Sequence, residues 1–270
     1  MTVLQAALVG RQPVSRCPGP GPVWRENGKG TLRYVNIVMP KPEDFEVIKA
    51  RRPNWEFLQK LPRELHGFTF KEGGSQFRHE YMLAAYENVP ARRRLELVYT
   101  DETFDYVPVR QVGLQRYRDF RYITRDKDQF EEWINRYIDR LVEETTPTHI
   151  PHSHFVLEHK GIFDWHFPDK LPERIGPFEK FIIPQYPLPF LNNCTIILDY
   201  ADFATGSEVV FLYNQVRNMF YAENKIRYIP NTIHDFDAKK LVDLEELLEE
   251  RLEPYLRELA RQLGYPDVAP

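Results

Sequence analysis

The chemistry-bearing residues of this chain crowd into one stretch. Five of its eight histidines, His149, His152, His154, His159 and His166, lie within residues 149–166. A strand over 151–159 would alternate its side chains between two faces and set His152, His154 and Glu158 on the same one. Two imidazoles and a carboxylate on one side of a sheet suit iron, manganese or zinc, with positions left open for a substrate. His166 is the candidate fourth ligand. Asp164 and Asp169 flank His166 and could orient its ring for acid–base work.

The spacing H-x-H-x3-E at 152–158 resembles the first metal motif of cupin barrels. That resemblance implies metal ligation by His152, His154 and Glu158 and an oxygenase or isomerase activity. Thr146 and Trp165 stand where that motif carries glycines.

A second constellation is basic. Arg92, Arg93, Arg94, Arg116, Arg118 and Arg121 fall in a stretch where Tyr117, Phe120 and Tyr122 interleave. Arginine alternating with aromatics can stack single-stranded nucleic acid. The same pattern also describes a strand whose arginines are solvated or ion-paired, and that reading is preferred. A net charge of −4 excludes a bulk nucleic-acid binder, which needs clustered cations to displace counterions. Nucleophilic catalysis has little to build on, for neither Cys17 nor Cys194 has a basic or capping neighbourhood suited to a thiolate. No G-x-S-x-G elbow and no phosphate loop occurs.

The elements that must position these residues can be read from periodicity. Residues 1–30 are rich in Pro and Gly and form an expected flexible arm, with a single domain expected over 31–270 and a possible subdivision near 146/147. Strands are expected at 31–39, 68–70, 77–86, 94–99, 104–112 and 116–123, with a hairpin loop at 71–75. Asp126 with Gln129 forms a capping box, and Phe130, Trp133, Ile134, Tyr137, Ile138 and Leu141 then recur at helical spacing. Further strands are expected near 154–159, 178–183 and 194–200. Residues 207–224 read as a helix and 225–229 as a short strand. Leu241, Leu244, Leu248, Leu252, Tyr255, Leu259 and Leu263 mark a long C-terminal helix, kinked at Pro254 and stopped by Gly264. No internal repeat is evident. The expected class is α+β, mainly antiparallel sheets with two or three amphipathic helices.

The stretch RYRDFRYITRDKDQFEEWINRYIDRL resembles a segment of bacteriophage tail-terminator and neck proteins. There a strand ends in Thr-Arg and an amphipathic helix follows about two residues later; the matching residues here are Thr124, Arg125 and Asp126. The resemblance implies a virion component.

Two cysteines in 270 residues argue against a disulfide framework and for a cytoplasmic or other reducing compartment. No run approaches the ~20 apolar residues of a membrane span, and no membrane role is expected. Arg11, Arg16 and Arg25 in an N-terminal stretch without acids resemble a transit peptide in composition alone. The C-terminal helix is acidic where residues 92–125 are basic, which suits contacts within one fold or between copies, though a solvated helix face is the simplest reading. The expected function is a non-catalytic structural or interaction protein. Its partners would be copies of itself or other protein subunits, and no cofactor is expected. The alternative is a metal-dependent enzyme carrying a divalent metal.

Overall fold

The computed structural model describes residues 43–150 and 154–266 and, as backbone, the strands at 23–26 and 32–35. The chain divides into two compact units, residues 1–41 and 42–270. In the first, β1 (Val23–Glu26) pairs antiparallel with β2 (Leu32–Val35). β1 falls inside the stretch expected to be an arm, whose other residues lie outside the described ones.

The second unit begins with α1 (Phe45–Arg51), α2 (Glu56–Lys60), β3 (Glu64–Leu65), β4 (Phe68–Glu72) and β5 (Gln76–Phe77). β6 (Glu80–Asn88), β7 (Arg93–Thr100), β8 (Asp105–Val112) and β9 (Gln115–Arg118) follow, and then α3 (Lys127–Glu143). The strands make one antiparallel sheet in the order β3-β4-β6-β7-β8-β9, with β5 on the flank of β6. Asp126 caps α3 by accepting from the backbone of Asp128 and Gln129 at 2.9 and 3.2 Å. The buried stripe Phe130, Ile134, Ile138 and Leu141 then seats α3 on Leu95, Leu97, Tyr99 and Tyr106 of the sheet.

The remainder consists of α4 (His154–His159), β10 (Arg174–Ile175), β11 (Phe178–Lys180), β12 (Leu188–Pro189), β13 (Cys194–Asp202), β14 (Ser207–Asn214), β15 (Met219–Ile226), β16 (Ile229–Ala238) and α5 (Leu241–Leu263). Its sheet runs β10-β11-β13-β14-β15-β16, with β12 on the flank of β13. α5 covers one face through Leu244, Leu248, Leu252 and Leu256. It is one element of 23 residues with Pro254 inside it, and it ends on Gly264 at φ +92°, a backbone that glycine adopts without strain.

The two halves share one plan, so the chain does contain an internal repeat. Strand pairs recur at an offset of 114 residues from β6 onward and of 110 in the opening β3–β4 and β10–β11 hairpins. Ala84 faces Leu97 as Leu198 faces Phe211, and Tyr99 faces Tyr106 as Tyr213 faces Phe220. A β-bulge after Met82 recurs after Ile196. Buried Phe130, Ile134, Ile138 and Val142 of α3 answer Leu244, Leu248, Leu252 and Leu256 of α5. The Tyr86 hydroxyl donates to the Pro62 carbonyl at 2.8 Å, and that of Tyr200 donates to Pro172 at 2.5 Å. Each half also opens with Trp-x-Phe-x2-Lys-Leu-Pro, at Trp55–Pro62 and at Trp165–Pro172.

Several expected elements differ: the short strand expected at 225–229 is the tip of the β15–β16 hairpin, and the strand expected over 116–123 stops at Arg118. Residues 207–224 form the hairpin β14–β15 rather than a helix, and residues 154–159 form α4 rather than a strand. β14 is buried on both faces over 207–213, so the polar–apolar alternation of a strand is missing from its sequence. The fold class itself stands as α+β, mostly sheet.

The tip of the β8–β9 hairpin joins the halves. Val112 and Tyr117 pack with Ile182, Ile196, Val210 and Leu212 on the face of the second sheet that α5 leaves uncovered. Gly113 lies flat against Phe181, where a Cβ would come within 2.6 Å of the ring. Gln115 donates to Glu208 at 2.9 Å, and Lys225, ion-paired to Glu208, donates to the Leu114 carbonyl at 3.1 Å.

Candidate functional site

Duplication supplies an internal comparison, and the halves differ most on the outer faces of their sheets. In the first half the chain leaves β9 at Asp119, whose N–H bonds the Pro108 carbonyl at 2.8 Å, and returns at Thr124 opposite Tyr106. The excursion lays Ile123 over Val98, Val107 and Val109. Beside it, Arg94, Arg116 and Arg118 lace together Glu80, Glu87 and Glu96. That face is filled.

In the second half, Ala222 faces Ile233 and Phe220 faces Ala238, so the four residues 234–237 stand opposite the single Tyr221. Bulges of this kind re-aim side chains at functional sites. Asp237 occupies the position of Ile123, 114 residues on, while Phe236 turns into the core. The outer face is thereby left open as a cavity of about 490 Å³.

The cavity wall carries chemistry. His234 Nδ1 lies 3.0 Å from Asp237 Oδ2, closing the bulge on itself. Cys194 Sγ is 3.3 Å from the Tyr221 hydroxyl and accepts from Asn214 Nδ2 at 3.4 Å. Burial, with the Cys194 sulfur second, pushes the Tyr221 hydroxyl well above its ordinary range. Burial likewise raises the Glu223 carboxyl, only partly offset by Lys225. The Glu223 carboxylate and the Arg217 guanidinium both line the cavity, and neither has a hydrogen-bond or ion-pair partner among the described residues. The contacts of Cys194 are to Tyr221, Asn214 and the Asn192 carbonyl, while His234 is held by Asp237. The wall is therefore a set of hydrogen-bonding and charged groups rather than a nucleophile engaged with a base.

A second cleft, about 480 Å³, lies between β9, the end of α3 and the loop before β13. Its floor is an ion network. Buried Arg110 bonds Asp119 at 3.0 Å, Glu144 at 2.7 Å and the Thr145 hydroxyl at 3.2 Å, and Arg121 grips both acids from outside. Burial pulls Glu144 upward, but hydrogen bonds and charge from Arg121, Arg110 and Arg140 outweigh it and hold its pKa at about 2. Asp119 is lowered by the same balance of burial against Arg121 and Arg110. Arg110 belongs to the arginine-rich stretch of 92–125, but on a strand its sequence context reads as one more solvated arginine.

The histidine constellation is only partly within the described residues. His152 lies outside the described residues; His154 and Glu158 belong to α4, so the strand face that would have joined them does not exist. Glu158 is engaged with other groups. His166 Nδ1 sits 3.0 Å from Asp169 Oδ2 on the exterior. Among the described residues, no group of three or more His, Cys, Asp or Glu converges so as to hold a metal.

The six arginines of the basic constellation are each engaged. Arg92 pairs with Glu179, and Arg93 donates to the Thr145 and Thr146 carbonyls at the end of α3. Arg94, Arg116 and Arg118 belong to the outer-face lattice, and Arg121 to the cleft floor. Arg93 is buried without a carboxylate partner among the described residues, and desolvation brings its pKa down to about 10. Among the described residues no helix is long and apolar enough to cross a membrane. Comparison with protein-family models, with curated proteins and with solved structures gives no match.

Proposed function

We propose that this protein is a non-catalytic interaction protein that works as a homo-oligomer, its copies joined along the free edge of the second sheet. The observation that carries this reading is the tip of the β15–β16 hairpin. Tyr228 and Ile229 are 68% and 70% exposed. Their counterparts in the first half, Leu114 and Gln115, are half-buried and buried in the joint between the halves. The same hairpin thus docks in one repeat and is left presenting two large apolar side chains in the other.

The strand behind the tip points the same way. β9, the edge of the first sheet, has four residues, whereas β16 has ten. A long edge offers unpaired backbone groups to another strand. Docking the tip on the outer face of a second copy's first sheet would desolvate the Arg94–Arg116–Arg118 lattice, which is costly. Pairing β16 with β16 of a second copy about a twofold axis avoids that cost and, being antiparallel, sets Tyr228 and Ile229 of each copy against the C-terminal end of the other's β16, near Ala238.

Sedimentation velocity on the full chain tests this. The wild type should dimerise at micromolar concentration. Ile229→Lys should weaken the dimer at least tenfold, about 1.4 kcal/mol, with an unchanged circular dichroism spectrum. A wild type still monomeric at about 50 μM, roughly −6 kcal/mol of association, rejects the reading, as does a dimer indifferent to Ile229→Lys.

A further inference from the structure

We infer that the cavity on the outer face of the second sheet binds an elongated zwitterion, an ω-amino carboxylate whose ammonium meets Glu223 and whose carboxylate meets Arg217. The cavity volume, about 490 Å³, falls within the ~300–1,000 Å³ typical of small-molecule sites. What distinguishes it from a packing gap is its charge. The first half has Val109 where Glu223 stands, Thr103 where Arg217 stands and Ile123 where Asp237 stands, at the same offset of 114 residues. Val109 and Ile123 pack together there and fill the face. Sheet packing alone is thus satisfied by apolar residues at two of these positions. Departures from a packing rule of this kind belong at functional sites.

Two of these charges are left to a ligand. Asp237 is occupied by His234, which leaves the carboxylate of Glu223 and the guanidinium of Arg217. They do not pair with each other or with any other described group. Glu223 stands four residues along β15 from Met219, roughly 13 Å at the usual rise of a strand, and Arg217 lies beyond Met219 in the preceding turn. A cation at one end and an anion at the other, with Met219 and Tyr221 lining the cavity with them, match an ammonium, a short apolar middle and a carboxylate. A ligand that neutralises both ends gives a partner at once to the half-buried Glu223, which Lys225 offsets only in part, and to the exposed Arg217. An amine or a carboxylate alone leaves one of them without that partner. A guanidinium can also grip the carboxylate through two parallel hydrogen bonds.

Isothermal titration of the full chain with β-alanine, 4-aminobutyrate and 6-aminohexanoate tests this, with butylamine and butyrate as half-ligands. Saturable binding should appear with an optimum in chain length, and each half-ligand should bind at least tenfold more weakly. Glu223→Gln should cost the amino acids at least tenfold while sparing butyrate, and Arg217→Gln should do so while sparing butylamine. Urea midpoints of both variants report that they fold. The assignment is overturned if no amino acid binds at about 10 mM, weaker than −3 kcal/mol, if the half-ligands bind as well as the whole, or if both variants leave affinity unchanged. None of these outcomes depends on the oligomeric state.

Discussion

Trp165 donates its indole N–H to Glu245 at 2.7 Å, joining two residues 80 positions apart in sequence. The first half repeats the bond between Trp55 and Glu131 at 2.5 Å. Each glutamate stands at the fifth position of its helix, so the same contact sets the start of α3 and of α5 against the segment leading into the sheet.

Trp165→Phe keeps a large ring and loses the donor. It should lower stability by roughly 1–3 kcal/mol, from one lost hydrogen bond and a small cavity. In a double-mutant cycle with Glu245→Ala, read from urea unfolding, the pair should show a coupling of about 1 kcal/mol. Strict additivity would mean that the bond contributes nothing beyond packing.

Glu144 makes the protein acid-sensitive. Its native pKa of about 2 lies below the ordinary 4.5. A depressed carboxylate stabilises the fold fully above its unfolded pKa, and that contribution is lost as pH falls from 4.5 through about 2. The difference is worth about 3 kcal/mol. Urea midpoints at about pH 6, 4 and 3 should therefore fall steeply in the wild type and more gently in Glu144→Gln. Arg110→Met should lower stability at neutral pH by roughly 3 kcal/mol, since it leaves Asp119 and Glu144 buried with one arginine fewer. An unchanged acid slope in Glu144→Gln would place the sensitivity elsewhere.

The sequence makes α3 and α5 legible because each has one buried stripe and one wet face, and the 3.6-residue period survives that contrast. It hides β14, whose Val209, Val210, Phe211 and Leu212 are buried on both sides and read equally well as helix. α4 is hidden for another reason: six residues are too few for periodicity to separate one helical turn from a strand. The repeat is partly visible in Trp55–Pro62 and Trp165–Pro172, but elsewhere the halves share burial rather than identity, as at Phe130 and Leu244. The open cavity follows from exchanges of Glu223 for Val109 and Asp237 for Ile123, whose meaning appears only once the two strands are aligned. The strand expected to align His154 with Glu158 was not legible, because a six-residue apolar–polar stretch converts to a strand as readily as to the helical turn that forms there.

Asp199 carries the last prediction. It is 1% exposed, and neither carboxylate oxygen has a hydrogen-bond partner among the described residues. Burial first, and the neighbouring Glu208 second, drive its pKa well above the ordinary carboxylate range, against the pull of Lys225. Glu208 itself is raised by burial but is held by Lys225 and Gln115. A carboxyl whose folded pKa is raised takes up a proton on folding. Stability therefore falls as pH rises from about 4 toward the native pKa, and it is level beyond. Asp199→Asn keeps the shape and removes the charge, and the first half already manages with a neutral residue, Ala85, at the matching place. The variant should gain roughly 1–3 kcal/mol at about pH 8 and nothing at about pH 4. Urea unfolding at the two pH values decides it. An equal gain at both would assign the effect to packing, and no gain at either would mean that Glu208 and Lys225 already compensate the charge.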